Sequence, residues 1–194
     1  MKFSSNLTST DSVMMEHKES MKSNRLNLTA AICLIVGGVL GMVGSFSPAA
    51  IRGIAWGLDG TALVIGTALL AVYHIKRGNE QLAAGFLVYV AGQTLVVSGS
   101  AMELSASSPL FAAGAGLWAA ALALVSTSPL MPKFVRITGI IASLLFAVTA
   151  LQIYGGQALT PLSNPLPFSA YPFLVLTLFG WAWNHYRSDS NSAA

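Results

Sequence analysis

Charge is what this sequence has least of: charged residues fill 9% of its 194 positions, against roughly a quarter in ordinary soluble domains. The shortage is also uneven. From Ile137 to Tyr186, fifty consecutive residues include no Asp, Glu, Lys or Arg. A soluble fold cannot cover its surface with such a stretch. It is too long for one membrane crossing and fits two crossings joined by a loop. Cysteine is nearly absent as well. Cys33 stands alone, which excludes an intrachain disulfide and leaves the redox compartment open. Cys33 is no lipid-attachment site either, since Ile32 rather than a small residue precedes it and the apolar run follows it.

The usual marks of catalysis are missing too. The chain has no Gly-Lys-Ser/Thr phosphate loop, no His-Glu-x-x-His and no Gly-x-Ser-x-Gly elbow. Ser98-Gly99-Ser100 has the look of an intramembrane serine nucleophile, but no histidine falls at a matching depth to act as its base. No residue is assigned as catalytic, cofactor-binding or metal-binding, and the chain reads as a non-enzyme. The net charge of +3 does not indicate nucleic acid, because the basic residues flank apolar runs and form no dense cluster.

What the chain has in abundance is apolar sequence, 54% of the total. Six spans are expected: Leu26–Phe46, Ile54–Tyr73, Gln81–Met102, Leu110–Ser126, Phe134–Tyr154 and Phe168–Tyr186. Ser-Pro pairs at 47–48, 108–109 and 128–129 and the Pro-rich stretch Thr160–Pro167 separate spans, where a missing backbone donor costs little. These lengths suit helices rather than barrel strands of about 10 residues. The fold class is therefore all-α, a bundle of six transmembrane helices over residues 26–187 with short loops. Residues 1–25 read as a disordered polar tail and 188–194 as a polar C-terminal tail. A secretory signal is the rival for the N-terminus. The first apolar run is long for a signal core, however, and no small-x-small site closes it.

Basic residues set the orientation. With a cytoplasmic N-terminus, Lys2, Lys18, Lys22, Arg25, Lys76, Arg77, Lys133, Arg136 and Arg187 all lie on the cytoplasmic side, and Arg52 alone lies opposite. That bias places both termini in the cytoplasm and the protein in the cell's inner membrane. Trp181, Trp183 and Tyr186 are expected at the inner interface. Internal repetition is weak. Gly57-Leu58-x-x-x-Ala62-Leu63 is matched by Gly116-Leu117-x-x-x-Ala121-Leu122, a likeness that composition alone can produce.

Few residues could carry chemistry. Asp59 lies inside the second span, roughly 8 Å below its outer boundary at ~1.5 Å per residue. An ionised carboxylate at such a depth costs about 2–3 kcal/mol, so it calls for a partner, a proton or water. Tyr89, Gln93 and Ser100 fall within about 40° of one another around the third helix, and Glu103 borders that face. Together with Asp59 they form a candidate polar pathway; interhelical hydrogen bonding is the plainer reading. Gly37, Gly41 and Ser45 make a small-residue ladder for close helix packing, either inside the bundle or across a dimer. His74 and His185 end spans at similar depth, an arrangement compatible with metal or haem ligation, but nothing else in the sequence supports a cofactor. Beside Lys76 and Arg187 they read as solvated histidines. Two functions remain in contention. One is a small transporter or channel-like protein for a small solute or ion; the other is a membrane scaffold or accessory subunit that packs through Ala/Gly-rich faces. The lipid bilayer is the expected partner, with a second copy or another membrane protein left open.

Overall fold

The computed structural model describes the backbone of residues 5–190 and the side chains of residues 25–187, and among the described residues there are helices and no strands. The helices are α1 (Ser5–Phe46), α2 (Ala49–Lys76), α3 (Glu80–Ser100), α4 (Ser108–Thr127), α5 (Lys133–Tyr154) and α6 (Tyr171–Ser190), with a 3-10 turn at Phe168–Ala170 leading into α6. Each helix packs on its neighbours in sequence, and α6 returns to α1, so the six form a closed ring. Neighbours run antiparallel. Gln81, at the start of α3, donates to the Leu124 carbonyl near the end of α4 at 2.8 Å, and Arg136, early in α5, donates to the Ser126 carbonyl at 3.1 Å.

One pattern explains why the ring closes. The buried positions recur at alternating steps of three and four on every helix: Asn27-Ala30-Leu34-Gly37 on α1, Leu63-Thr67-Leu70-His74 on α2, Leu82-Phe86-Tyr89-Gln93 on α3. The rhythm continues as Phe111-Ala115-Trp118-Leu122 on α4, Val135-Gly139-Ala142-Phe146 on α5 and Leu174-Leu178-Trp181-His185 on α6. A repeat averaging 3.5 residues keeps one seam of each helix turned to the same axis, as in bundles with a left-handed twist. Ile32, Leu58, Leu144, Leu151 and Leu176 face outward and are exposed, so the outer surface of the ring is apolar as well.

The described elements differ from the expected ones in several places. Five helices, α1 to α5, are long and apolar enough to cross a membrane. α6 has the length but not the apolarity, because Asn184, His185, Arg187 and the residues after them are polar. Residues 5–24, expected as part of a disordered tail, continue α1 as helix. Helix propagates cheaply from an apolar nucleus into residues such as Met14, Met15, Glu16 and Lys18, which favour it. Met1–Ser4 and residues 191–194 of the two expected tails lie outside the described residues. α2 starts at Ala49 rather than Ile54, directly after Pro48, and Pro109 sits in the first turn of α4 rather than between spans. Proline is compatible with both places because its missing N–H has no partner there in any helix. Trp181, expected at an interface, is fully buried on the α6 seam, whereas Trp183 and Tyr186 are exposed.

The two ends of the ring differ. Arg25, Lys76, Arg77, Lys133, Arg136 and Arg187 gather at the end that holds the start of α3 and the ends of α2, α4 and α6. Arg52 lies at the other end, which the long α5–α6 connection crosses and where Ser108 donates to the Leu159 carbonyl at 3.0 Å.

Candidate functional site: a cavity toward one end of the ring

Side-chain size along the seams decides where the ring is filled. Toward the basic end the seams carry rings that interlock through the axis. Phe86 meets Trp181 edge-on with centroids 5.0 Å apart, Tyr89 meets Trp181 at 5.6 Å and stacks on Trp118 at 6.1 Å, and Trp118 meets Phe146 at 5.2 Å. Edge and offset geometries of this kind suit ring quadrupoles. The result is an aromatic plug.

Beneath the plug, at the basic end, His74 and His185 face each other with their Nε2 atoms 2.9 Å apart. The hydrogen-bond pattern fixes their tautomers. His185 Nδ1 must donate to the Trp181 carbonyl at 2.7 Å, so its Nε2 is the acceptor for His74 Nε2–H. His74 Nδ1 is then free to accept from the Asn79 side-chain amide at 3.4 Å. Both rings serve as neutral links in one chain from the α2–α3 turn to the backbone of α6. The expectation of solvated histidines is therefore overturned: both are buried, and both Nε2 atoms are committed to each other rather than to an axial metal. Among the described residues, no three His, Cys, Asp or Glu side chains gather as a metal site.

Toward the other end the seams of α1 and α3 turn small. α1 contributes Gly38, Gly41 and Ser45, α3 contributes Gly99 and Ser100, and Ser107 precedes α4. The centre is consequently left unfilled. The cavity there has a volume of about 60 Å³, enough to hold water. The cavity extends from Trp118, at the edge of the plug, to Ser107 and Pro161 at the end of the ring.

Its polar groups come from facing helices. Asp59 on α2 is half-buried, and its carboxylate rests against Gly41 of α1, where an added Cβ would meet Oδ2 at 3.1 Å. Gln93 on α3 is fully buried, and its amide nitrogen lies over Gly60, the residue after Asp59. Asp59 Oδ1, Gln93 Oε1 and Trp118 Nε1 are all buried without a hydrogen-bond partner. Native interiors leave few such atoms, and three around one cavity is an arrangement poised for a polar guest.

The sequence-derived candidates are thus divided. Asp59, Gln93 and Ser100 line the cavity, with the Ser100 hydroxyl donating to its own helix at the Val97 carbonyl (2.7 Å). Tyr89 belongs to the plug and its hydroxyl has no partner. Glu103 is exposed in the turn after α3, which ends at Ser100, and takes no part in the cavity. Gly37 and Gly41 face α2: a Cβ on Gly37 would meet Leu63 at 2.6 Å and the Asp59 backbone oxygen at 3.3 Å. Ser45 donates to the Gly41 carbonyl at 2.9 Å and lines the cavity. Sequence reasoning missed Trp118, Trp56 and Tyr171, which form the cavity's aromatic walls. The seam spacing marks Trp118 as inward-facing, but the sequence carries no signal that Tyr171 reaches the same space. The paired glycines of the weak repeat occupy unlike surroundings, open space at Gly57 and the Ala150 Cβ at 3.8 Å for Gly116.

Comparison with protein-family models, curated proteins and solved structures finds no match to this chain.

Proposed function

We propose that this is a six-span protein of the inner membrane, with both termini cytoplasmic, that binds a small solute or ion in the ring's cavity and passes it across the bilayer. The apolar outer surface and the five apolar helices support insertion. α6 can join them as a sixth span because its polar Thr177 and His185 are turned into the ring, while Leu176 and Phe179 face outward. The basic end is then cytoplasmic by the bias of its Lys and Arg residues, and the cavity faces the opposite side.

The observation that carries the reading is a pair of buried, unpartnered oxygens on Asp59 and Gln93, two residues that line one internal space. An intramembrane ionisable residue on an inward face is a functional-site hypothesis by default. An enzymatic role has no such support. The cavity-lining Ser100 and Ser107 hydroxyls donate to carbonyls of their own segments, and no histidine lines the space. The aromatic plug blocks the axis in this conformation, so passage requires the plug to shift and a fixed open pore is not proposed. The scaffold reading keeps one observation in its favour, the backbone-close contact of α3 with α4 at Gly92 and Gly114.

The test is flux. Purified protein reconstituted in vesicles and challenged with a panel of small neutral solutes and monovalent cations should pass at least one faster than empty vesicles do. Asp59→Leu should remove that excess. Flux indistinguishable from empty vesicles across the panel would leave the scaffold as the better account.

A further inference from the structure

The cavity's charge is one-sided: Asp59 is its only charged lining residue, and the Trp118 indole N–H is a neutral donor beside it. A carboxylate offers only acceptors, and both Asp59 Oδ1 and Gln93 Oε1 present theirs without a partner. No Lys or Arg side chain lines the space. The nearest basic residue in sequence, Arg52, lies two helical turns from Asp59, about 10 Å along the axis. Its Nη2 is occupied by the Ser47 carbonyl at 2.9 Å, and its guanidinium lies 5.8 Å from the Trp56 ring centre. Trp56, Phe111, Trp118 and Tyr171 line the same cavity. Aromatic faces attract cations, and a desolvated carboxylate attracts them more strongly still.

A bare metal ion fits these surroundings poorly. Hard cations take six or more oxygen ligands, whereas the unpartnered oxygens here are two and the walls are mostly apolar. An organic cation has the opposite needs: one charged group for the oxygens and a carbon surface for the rings. Resting on the reading of this cavity as a ligand site, we infer that its ligand is a small organic monocation of the alkylammonium class, held with its charge at Asp59 and Gln93 and its alkyl groups against the aromatic walls.

Choline and 3,3-dimethylbutan-1-ol make a discriminating pair of probes, since they share a shape and differ in charge. Binding to the full-length protein in lipid nanodiscs can be followed by calorimetry and by tryptophan fluorescence, because Trp56 and Trp118 line the cavity. Choline should bind saturably and at least about tenfold more tightly than the alcohol, the selectivity expected of a charge-assisted contact with an aromatic wall. Asp59→Asn should erase that preference. Asp59→Asn combined with Gln93→Glu, which moves the carboxylate across the cavity, should restore it. Equal binding of cation and alcohol, or unchanged choline binding by Asp59→Asn, would overturn the cation inference while leaving the cavity a solute site. No saturable binding of choline, methylammonium or tetramethylammonium would overturn it too, and flux of some neutral solute would then still support transport.

Discussion

Replacing Gly114 by alanine tests the packing of the ring at its tightest crossing. A Cβ added there would lie 2.5 Å from Val96 Cγ2, 2.9 Å from the Gly92 carbonyl oxygen and 3.4 Å from the Val96 backbone nitrogen. The reciprocal Cβ on Gly92 would lie 2.9 Å from Leu117 Cβ and 3.0 Å from the Gly114 oxygen. Val96 can rotate away, but a helix backbone cannot. Relieving the carbonyl contact requires α3 and α4 to part by about half an ångström, and a gap of that size forfeits roughly a quarter of each dispersion well along the contact. Overpacking of this kind costs about 1–3 kcal/mol, offset by roughly 0.5–1 kcal/mol that alanine gains over glycine in a helix. The net expectation is a loss of about 0–2.5 kcal/mol. Gly57 is the matched control, because an added Cβ meets nothing within 4 Å. Gly57→Ala should therefore stabilise by roughly 0.5–1 kcal/mol. Equilibrium unfolding in mixed micelles with rising SDS measures both. Gly114→Ala as stable as Gly57→Ala, or more so, would refute the close crossing.

Three further outcomes follow from the geometry. Asp59→Leu should leave stability unchanged or raised in the same unfolding assay, because Asp59 Oδ1 has no partner to lose; a loss above about 1 kcal/mol would mean that the carboxylate is structural glue. His185→Leu should cost about 1–3 kcal/mol by stranding His74 Nε2–H. The His74→Leu/His185→Leu double variant should cost clearly less than the sum of the singles, and strict additivity would contradict the pairing. A reporter active only outside the cytoplasm should give signal when fused after Gly156 and none after Arg187; equal or reversed signals would contradict the six-span orientation.

Much of the ring is legible in the sequence. Apolar runs and Ser-Pro punctuation marked six helices to within a few residues at most ends, and the three-four spacing of Leu174, Leu178, Trp181 and His185 was visible in the string. That spacing shows why Trp181 and His185 point inward; reading them by their neighbours Arg187 and Tyr186 put them at the surface. The pairing of His74 with His185 was not legible, because it joins helices far apart in sequence that meet only once α6 closes the ring. Gly41 and Asp59 were singled out for separate reasons, one for packing and one for charge, and only the fold shows the carboxylate seated on that glycine. Gly92 and Gly114 do not stand out in the sequence, since small residues abound in both helices. Glu103 was drawn into the third-helix stripe by extrapolating the helix past Ser100, where it ends.

The proposed site is a cavity at Asp59 and Gln93 that is reached from the end of the ring opposite the basic residues and closed toward the basic end. Cysteine accessibility tests it directly, because Cys33 is the chain's one cysteine and Cys33→Ala gives a clean background. In that background Ser100→Cys lines the cavity, while Thr67→Cys is fully buried nearer the basic end. A membrane-impermeant maleimide added to intact cells should label Ser100→Cys and leave Thr67→Cys untouched. Labelling of Ser100→Cys only after permeabilisation, or no labelling under either condition, would contradict the account.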